Sequence, residues 1–243
     1  MKILFACDLD NTLIHSYKYR RAGDICVEHY EGREQSFISP RTLELIKNFS
    51  EQNLFIPVTT RSIAQYRRIF WTEDFKPRYA VVTNGAYFLD GDNQENFLRE
   101  VATPYQDELK RQLAAADENI FTIARIVDES FLFLKCRDDI DADKISFDTN
   151  LAVEEGAGNW EQGAVKSNPC SLALFPNKKI YLFPPELNKG EALKLLIKRF
   201  SPEKVFAAGD SSIDLPMLQL ADVSFVIREI GELEKMLSSA VNQ

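Results

Sequence analysis

Asp8 and Asp10 stand one residue apart at the end of an apolar run, Ile3-Leu4-Phe5-Ala6-Cys7. An unbroken run of this kind reads as a strand buried on both faces. Adjacent strand residues point to opposite sides, so the one-residue gap returns both carboxylates to the same side. Taken alone, the pair reads equally well as a strand ending in water. Thr59, Lys189, Asp210 and Asp214 change that weighing, because each follows an apolar segment or opens a helical pattern. Three or four converging aspartates repel one another unless a hard cation joins them or their pKa values rise strongly. Acyl-phosphate chemistry needs a carboxylate nucleophile, a cation to neutralise it and an incoming phosphate, and hydrogen-bond donors around the transferring group. These residues supply a candidate for every part, and carboxylates are the protein ligands that Mg2+ prefers.

Such a constellation requires elements that bring distant residues together. Apolar segments at 2–7, 54–58 and 80–82 alternate with helical periodicity near the N-terminus, as do segments at 205–208 and 223–227 towards the C-terminus. Ser39 before Pro40-Arg41-Thr42 reads as the N-cap of a helix with Leu43, Ile46 and Phe49 on one face. Alternation of this kind predicts an α/β fold with parallel strands and helical crossovers. Several predicted strands end in polar or acidic residues, and the carboxyl ends of parallel strands are where such sheets place ligands. Pro57 lies inside the second of these strands and removes a ladder donor, which predicts a bulge or a local edge there.

The middle of the chain has a different texture. A helix over 105–116, paired strands over 121–127 and 131–136, a helix over 141–153, and strands over 171–175 and 179–183 read as an α+β unit with antiparallel hairpins. The expected organisation is therefore a core from residues 1–85 and 186–243, with residues 86–185 inserted. Residues 25–30 and 34–38 form a further candidate hairpin projecting over the strand tips, preceded by the basic and aromatic stretch 15–21. That stretch reads either as substrate-facing or as a solvated loop, and so does the Gly- and Trp-containing segment 155–166.

At 243 residues, with 45% hydrophobic and 27% charged residues, the chain has the composition of a globular protein with a sizeable core. A net charge of -8 argues against non-specific nucleic-acid binding. Cys7, Cys26, Cys136 and Cys170 show no CxxC spacing and are expected to be reduced. No run is long and apolar enough for a bilayer and no leader pattern is evident. The expectation is a cytoplasmic enzyme, monomer or weak homodimer, without nucleic-acid or membrane partners.

The motifs together resemble those of the haloacid dehalogenase superfamily: DLDNTL its first, VTTR its second, NKGEAL its third and GDSSIDLPML its fourth. An insert after the third strand resembles the type IIB cap of the Cof-like and sucrose-phosphatase-like phosphatases. The resemblance implies a Rossmann-like three-layer α/β/α core with a parallel sheet, an inserted α+β cap, and Mg2+-dependent hydrolysis of a small phosphate ester, such as a sugar or polyol phosphate. It implies Asp8 as nucleophile and Asp10 as general acid and base. Asp8, Asp210 and the Asp10 carbonyl become metal ligands, with Asp214 behind them, and Thr59 and Lys189 hold the phosphoryl group. Thr60 replaces a frequent Gly, leaving it a second candidate to Thr59. Arg61 and Asn84 are candidate substrate contacts. A phosphomutase is the alternative within the superfamily, and a phospho-accepting signalling module the alternative outside it.

Overall fold

The computed structural model describes residues 2–140, 145, 153–154, 171–175, 178–229 and 231–240. The expected helix over 141–153 and loop over 155–166 lie outside them, apart from Ile145 and the short strand Val153–Glu154. The chain divides into one unit of Met1–Phe97 with Lys189–Gln243 and a second of Leu98–Asn188.

The first unit begins with β1 (Ile3–Cys7), then a hairpin-like sheet of β2 (His15–Ser16), β3 (Ile25–Tyr30) and β4 (Arg33–Ile38). Next come α1 (Pro40–Ser50), β5 (Leu54–Pro57), the short helix α2 (Ile63–Arg67), and β6 (Tyr79–Val82), β7 (Tyr87–Asp90) and β8 (Asn93–Asn96). Ser39 caps α1 as its sequence predicts, its hydroxyl accepting from the Thr42 N–H at 3.0 Å. Sequence patterning places the core boundary after residue 85, whereas the first unit runs on to Phe97. The reason is local: β7 pairs antiparallel with β6, and β8 with β7, so the hairpin belongs to the strand it folds back on.

The second unit contains α3 (Gln106–Ala114), β9 (Phe121–Val127), β10 (Phe131–Cys136), β11 (Val153–Glu154), β12 (Ser171–Phe175) and β13 (Lys179–Phe183). Its sheet has the order β11-β12-β13-β10-β9. Leu109 from α3 packs with Phe121, Leu132, Leu134, Ile180 and Leu182 to form its core. Pro104 lies in a 3-10 turn that ends at Tyr105, so the α-helix starts one residue later than the periodicity predicts.

Returning to the first unit, α4 (Lys189–Phe200), β14 (Lys204–Gly209), α5 (Leu215–Leu218), β15 (Val223–Val226) and α6 (Glu232–Ala240) complete the fold. The central sheet is parallel, in the order β15-β14-β1-β5. In β1, Leu4, Phe5, Ala6 and Cys7 are all fully buried, as a strand covered on both faces must be. Pro57 ends β5 opposite Cys7, and β6 is met only beyond it, where Val58 bridges Val81 and the Thr59 N–H donates to the Val81 carbonyl at 2.9 Å. The missing N–H thus coincides with the local edge that its position predicts.

Candidate active site

β1 brings Asp8 to the C-terminal edge of the parallel sheet, where its N–H donates to the Ala208 carbonyl of β14 at 2.9 Å. Past Leu9 the chain folds back, the Leu9 carbonyl accepting from the N–H groups of Leu13 and Ile14 at 2.9 Å. Asn11 makes the turn with φ 62°, a left-handed conformation that asparagine tolerates well. Asp8 is buried, while Asp10 lies at the rim with half its side chain exposed.

Lys189 opens α4 and is itself buried. Its ammonium donates to Asp8 Oδ1 at 2.5 Å and to Asp214 Oδ1 at 2.6 Å. Asp214 is fully buried, and its second oxygen accepts from the N–H groups of Asp210 and Ser211 and from the Ser211 hydroxyl, at 2.8–3.1 Å. Asp210 accepts from the Thr12 hydroxyl at 3.4 Å and from the Asn11 side chain. The first and fourth motifs are therefore bonded to one another at the strand ends.

Two glycines allow this closeness. A Cβ on Gly209 would lie 2.3 Å from the Asp214 Cβ, and one on Gly190 would lie 2.7 Å from the Pro216 carbonyl oxygen. Glycine is needed at both positions for the approach itself, since neither has a positive φ.

Burial pushes the Asp8 carboxyl well above the carboxylate range, against the pull of the Lys189 ammonium, and Asp214 and Asp210 push it further. Burial, then the charge of Asp214, raises Asp210 to about 6. Burial opposes the charge on Lys189, but Asp214 and Asp8 outweigh it and hold its pKa above that of an ordinary lysine. One ammonium thus faces carboxylates of Asp8, Asp210 and Asp214, whose oxygens lie within 4.8 Å of one another. With all three ionised, the cluster carries two more negative charges than positive ones. Its donors are hard oxygens, so both charge and donor chemistry fit a cation such as Mg2+.

On the other side of Asp10 is an arrangement that sequence reading did not detect. Arg61 donates from Nε to Asp10 Oδ2 at 2.8 Å and from Nη2 to Asp10 Oδ1 at 2.7 Å, a bidentate pair. Its Nη1 donates to Glu28 Oε2 at 2.9 Å. Glu28 is fully buried, and it also accepts from the Ser36 hydroxyl at 2.6 Å and from Arg68 Nε and Nη2 at 3.1 and 2.9 Å. Burial opposes the Arg61 charge, but Asp10 and Glu28 outweigh it and raise its pKa. Ladder irregularities on both sides of Glu28 turn it inwards, which simple strand alternation gives no means of foreseeing.

Thr59 is buried, its hydroxyl oxygen accepting from the Arg61 N–H at 3.1 Å, whereas Thr60 is half-buried. Asn84 is buried at the end of β6, its N–H donating to the Thr59 carbonyl at 3.0 Å. Thr83 and Asn84 both have positive φ, 55° and 56°. For a β-branched threonine this is a strained conformation of the kind that clusters at functional sites. In the stretch 15–21, His15 is buried against Asp24 at 2.7 Å, while Tyr17 and Tyr19 are exposed.

A parallel α/β core with aspartates, a threonine and a lysine gathered at its strand ends defines a hydrolase class, and the comparisons agree. The haloacid dehalogenase-like hydrolase model matches residues 5–150 and 137–235. The chain belongs to that family. Among curated proteins none matches in sequence. Solved structures share the fold at low identity. Sucrose-phosphatase from Synechocystis is 12% identical with a TM-score of 0.61, over 99% of this chain and 98% of that one. The C-terminal domain of C. albicans trehalose-6-phosphate phosphatase is 12% identical with a TM-score of 0.62, over 99% and 92%. A haloacid dehalogenase-like hydrolase from B. subtilis is 15% identical with a TM-score of 0.56, over 98% and 99%.

Proposed function

We propose that the protein is a Mg2+-dependent phosphatase that hydrolyses a small phosphorylated metabolite, a sugar or polyol phosphate, through an aspartyl-phosphate on Asp8. The observation that carries this reading is the buried Lys189 ammonium bridging Asp8 and Asp214 beside Asp210. Asp8 attacks phosphorus in line as the ester P–O bond breaks, and Asp10 delivers a proton to the departing oxygen. Asp10 then takes a proton from the water that attacks the aspartyl-phosphate, releasing inorganic phosphate and restoring Asp8. Lys189 and Thr59 hold the phosphoryl oxygens, and Asp214 orients Lys189 through its saturated hydrogen bonds. The carboxylates of Asp8 and Asp210 and the Asp10 carbonyl would hold Mg2+, which when bound would supply the charge that lets anionic nucleophile and anionic ester approach. The sugar-phosphate class is favoured because structures of the same fold include a sucrose-phosphatase and a trehalose-6-phosphate phosphatase.

The test is a screen of phosphate esters with purified protein, with and without Mg2+, repeated on Asp8→Asn. Wild-type protein is expected to release inorganic phosphate only with Mg2+, and the folded variant to release none. Full activity in Asp8→Asn would overturn the mechanism.

A further inference from the structure

We infer that Glu28, on the β3–β4 hairpin, is a positioning residue for Asp10, acting through Arg61. The inference rests on the proposed proton transfer by Asp10.

Glu28 is an acid with no exposed surface, and such a group persists only where its charge is paired and its oxygens are satisfied. Both conditions hold. One oxygen accepts from Ser36 and Arg61, and the other is gripped by two nitrogens of Arg68. The hairpin carrying Glu28 is anchored beyond these pairs, because Phe70 donates its N–H to the Val27 carbonyl at 3.0 Å. Glu28 is therefore a fixed point.

Arg61 is planar, so fixing one nitrogen of its fork limits where the others point. Nη1 is held by Glu28, and Nη2 also meets the Ser36 hydroxyl at 3.3 Å. The remaining edge, Nε and Nη2, meets both oxygens of Asp10. The Asp10 side chain is half exposed and lies at the sheet rim. The guanidinium edge sets its orientation, and Glu28 sets the guanidinium. Arg61 is thus engaged with the acid–base residue of the same site.

A positioning role for Asp10 makes a distinction that loss of stability does not. Proton delivery is needed most when the leaving oxygen is a strong base, and kcat/KM reports the steps through cleavage of the ester. Phenyl phosphate and p-nitrophenyl phosphate differ little in size, but phenolate is much the stronger base, its acid having a pKa of about 10. Under saturating Mg2+, Glu28→Gln is expected to lower the ratio of kcat/KM for phenyl phosphate to that for p-nitrophenyl phosphate at least tenfold. Asp10→Asn, run alongside, is expected to lower the same ratio further. Should Glu28→Gln fail to fold, Ser36→Ala, which removes the hydroxyl shared by Glu28 and Arg61, carries the test with a smaller fall in the same direction. If Asp10→Asn lowers the ratio while the folded Glu28 or Ser36 variant slows both esters equally or neither, the positioning role is overturned and the phosphatase reading stands. An unchanged ratio in Asp10→Asn overturns the proton-transfer reading and this inference with it.

Discussion

Asp210 links the electrostatics of the site to stability. Its folded pKa is about 6 against 3.8 for an ordinary aspartate, because burial and Asp214 disfavour its charge. A carboxyl raised in this way binds more protons folded than unfolded between those values, so its contribution to stability falls as pH rises through that window. Below the window both states are protonated and nothing is lost; above it the loss is complete, up to roughly 3 kcal/mol. In metal-free protein, Asp210→Asn is therefore expected to be more stable than wild type at pH 7.5, with the difference shrinking towards pH 4 in urea melts. Added Mg2+ should raise the melting temperature of wild type and raise that of the variant much less. A variant with no gain at pH 7.5, or one stabilised fully by Mg2+, would refute the assignment of Asp210 as a ligand under strain.

At the scale of elements, the loop after β14 and the start of α4 are held at van der Waals limits. Gly209→Ala would place a methyl group 2.3 Å from the Asp214 Cβ, which only displacement of the Ser212–Asp214 turn relieves. The expected cost is about 3 kcal/mol or more by urea denaturation. Gly91→Ala meets no atom within 4 Å and carries only the strain of φ +60°, so about 1 kcal/mol is expected there. Similar losses at both positions would contradict the packing argument. Much of the element layout is legible in the sequence, because β1, β14, α1 and α4 combine continuous or periodic apolar patterning with plain turns. The acids at their ends were legible for the same reason: a strand that must be buried leaves few explanations for carboxylates at its tip. Glu28 was not legible, since a bulged hairpin breaks the alternation from which burial is inferred. Arg61 could be singled out by type alone, but its partners lie 33 and 51 residues away and only the folded chain brings them together. The β7–β8 hairpin was missed because β8, Asn93–Asn96, is exposed and polar throughout and offers no apolar signal.

Across the whole molecule, the first unit is assembled from two stretches of chain that meet in one sheet. β1 lies between β5 from its own stretch and β14 from the other, with Phe5 opposite both Phe55 and Phe206. A fragment ending at residue 97 lacks β14, β15 and α4 and is expected to give the circular dichroism of a largely unfolded chain. Adding a second fragment of residues 189–243 is expected to restore ordered structure to the mixture. A cooperatively folded 1–97 fragment would show that the parallel sheet does not depend on its second half. The pairing of Ile3 with Lys204 also has a consequence in time. During synthesis at about 5–20 residues per second, roughly 200 residues must follow before β1 meets its partner, an interval of roughly 10–40 seconds. For that interval an apolar strand, with the acid of the first motif at its end, lacks a neighbour on one side. The site can therefore be completed only once residues roughly 200 positions downstream of Asp8 have been made.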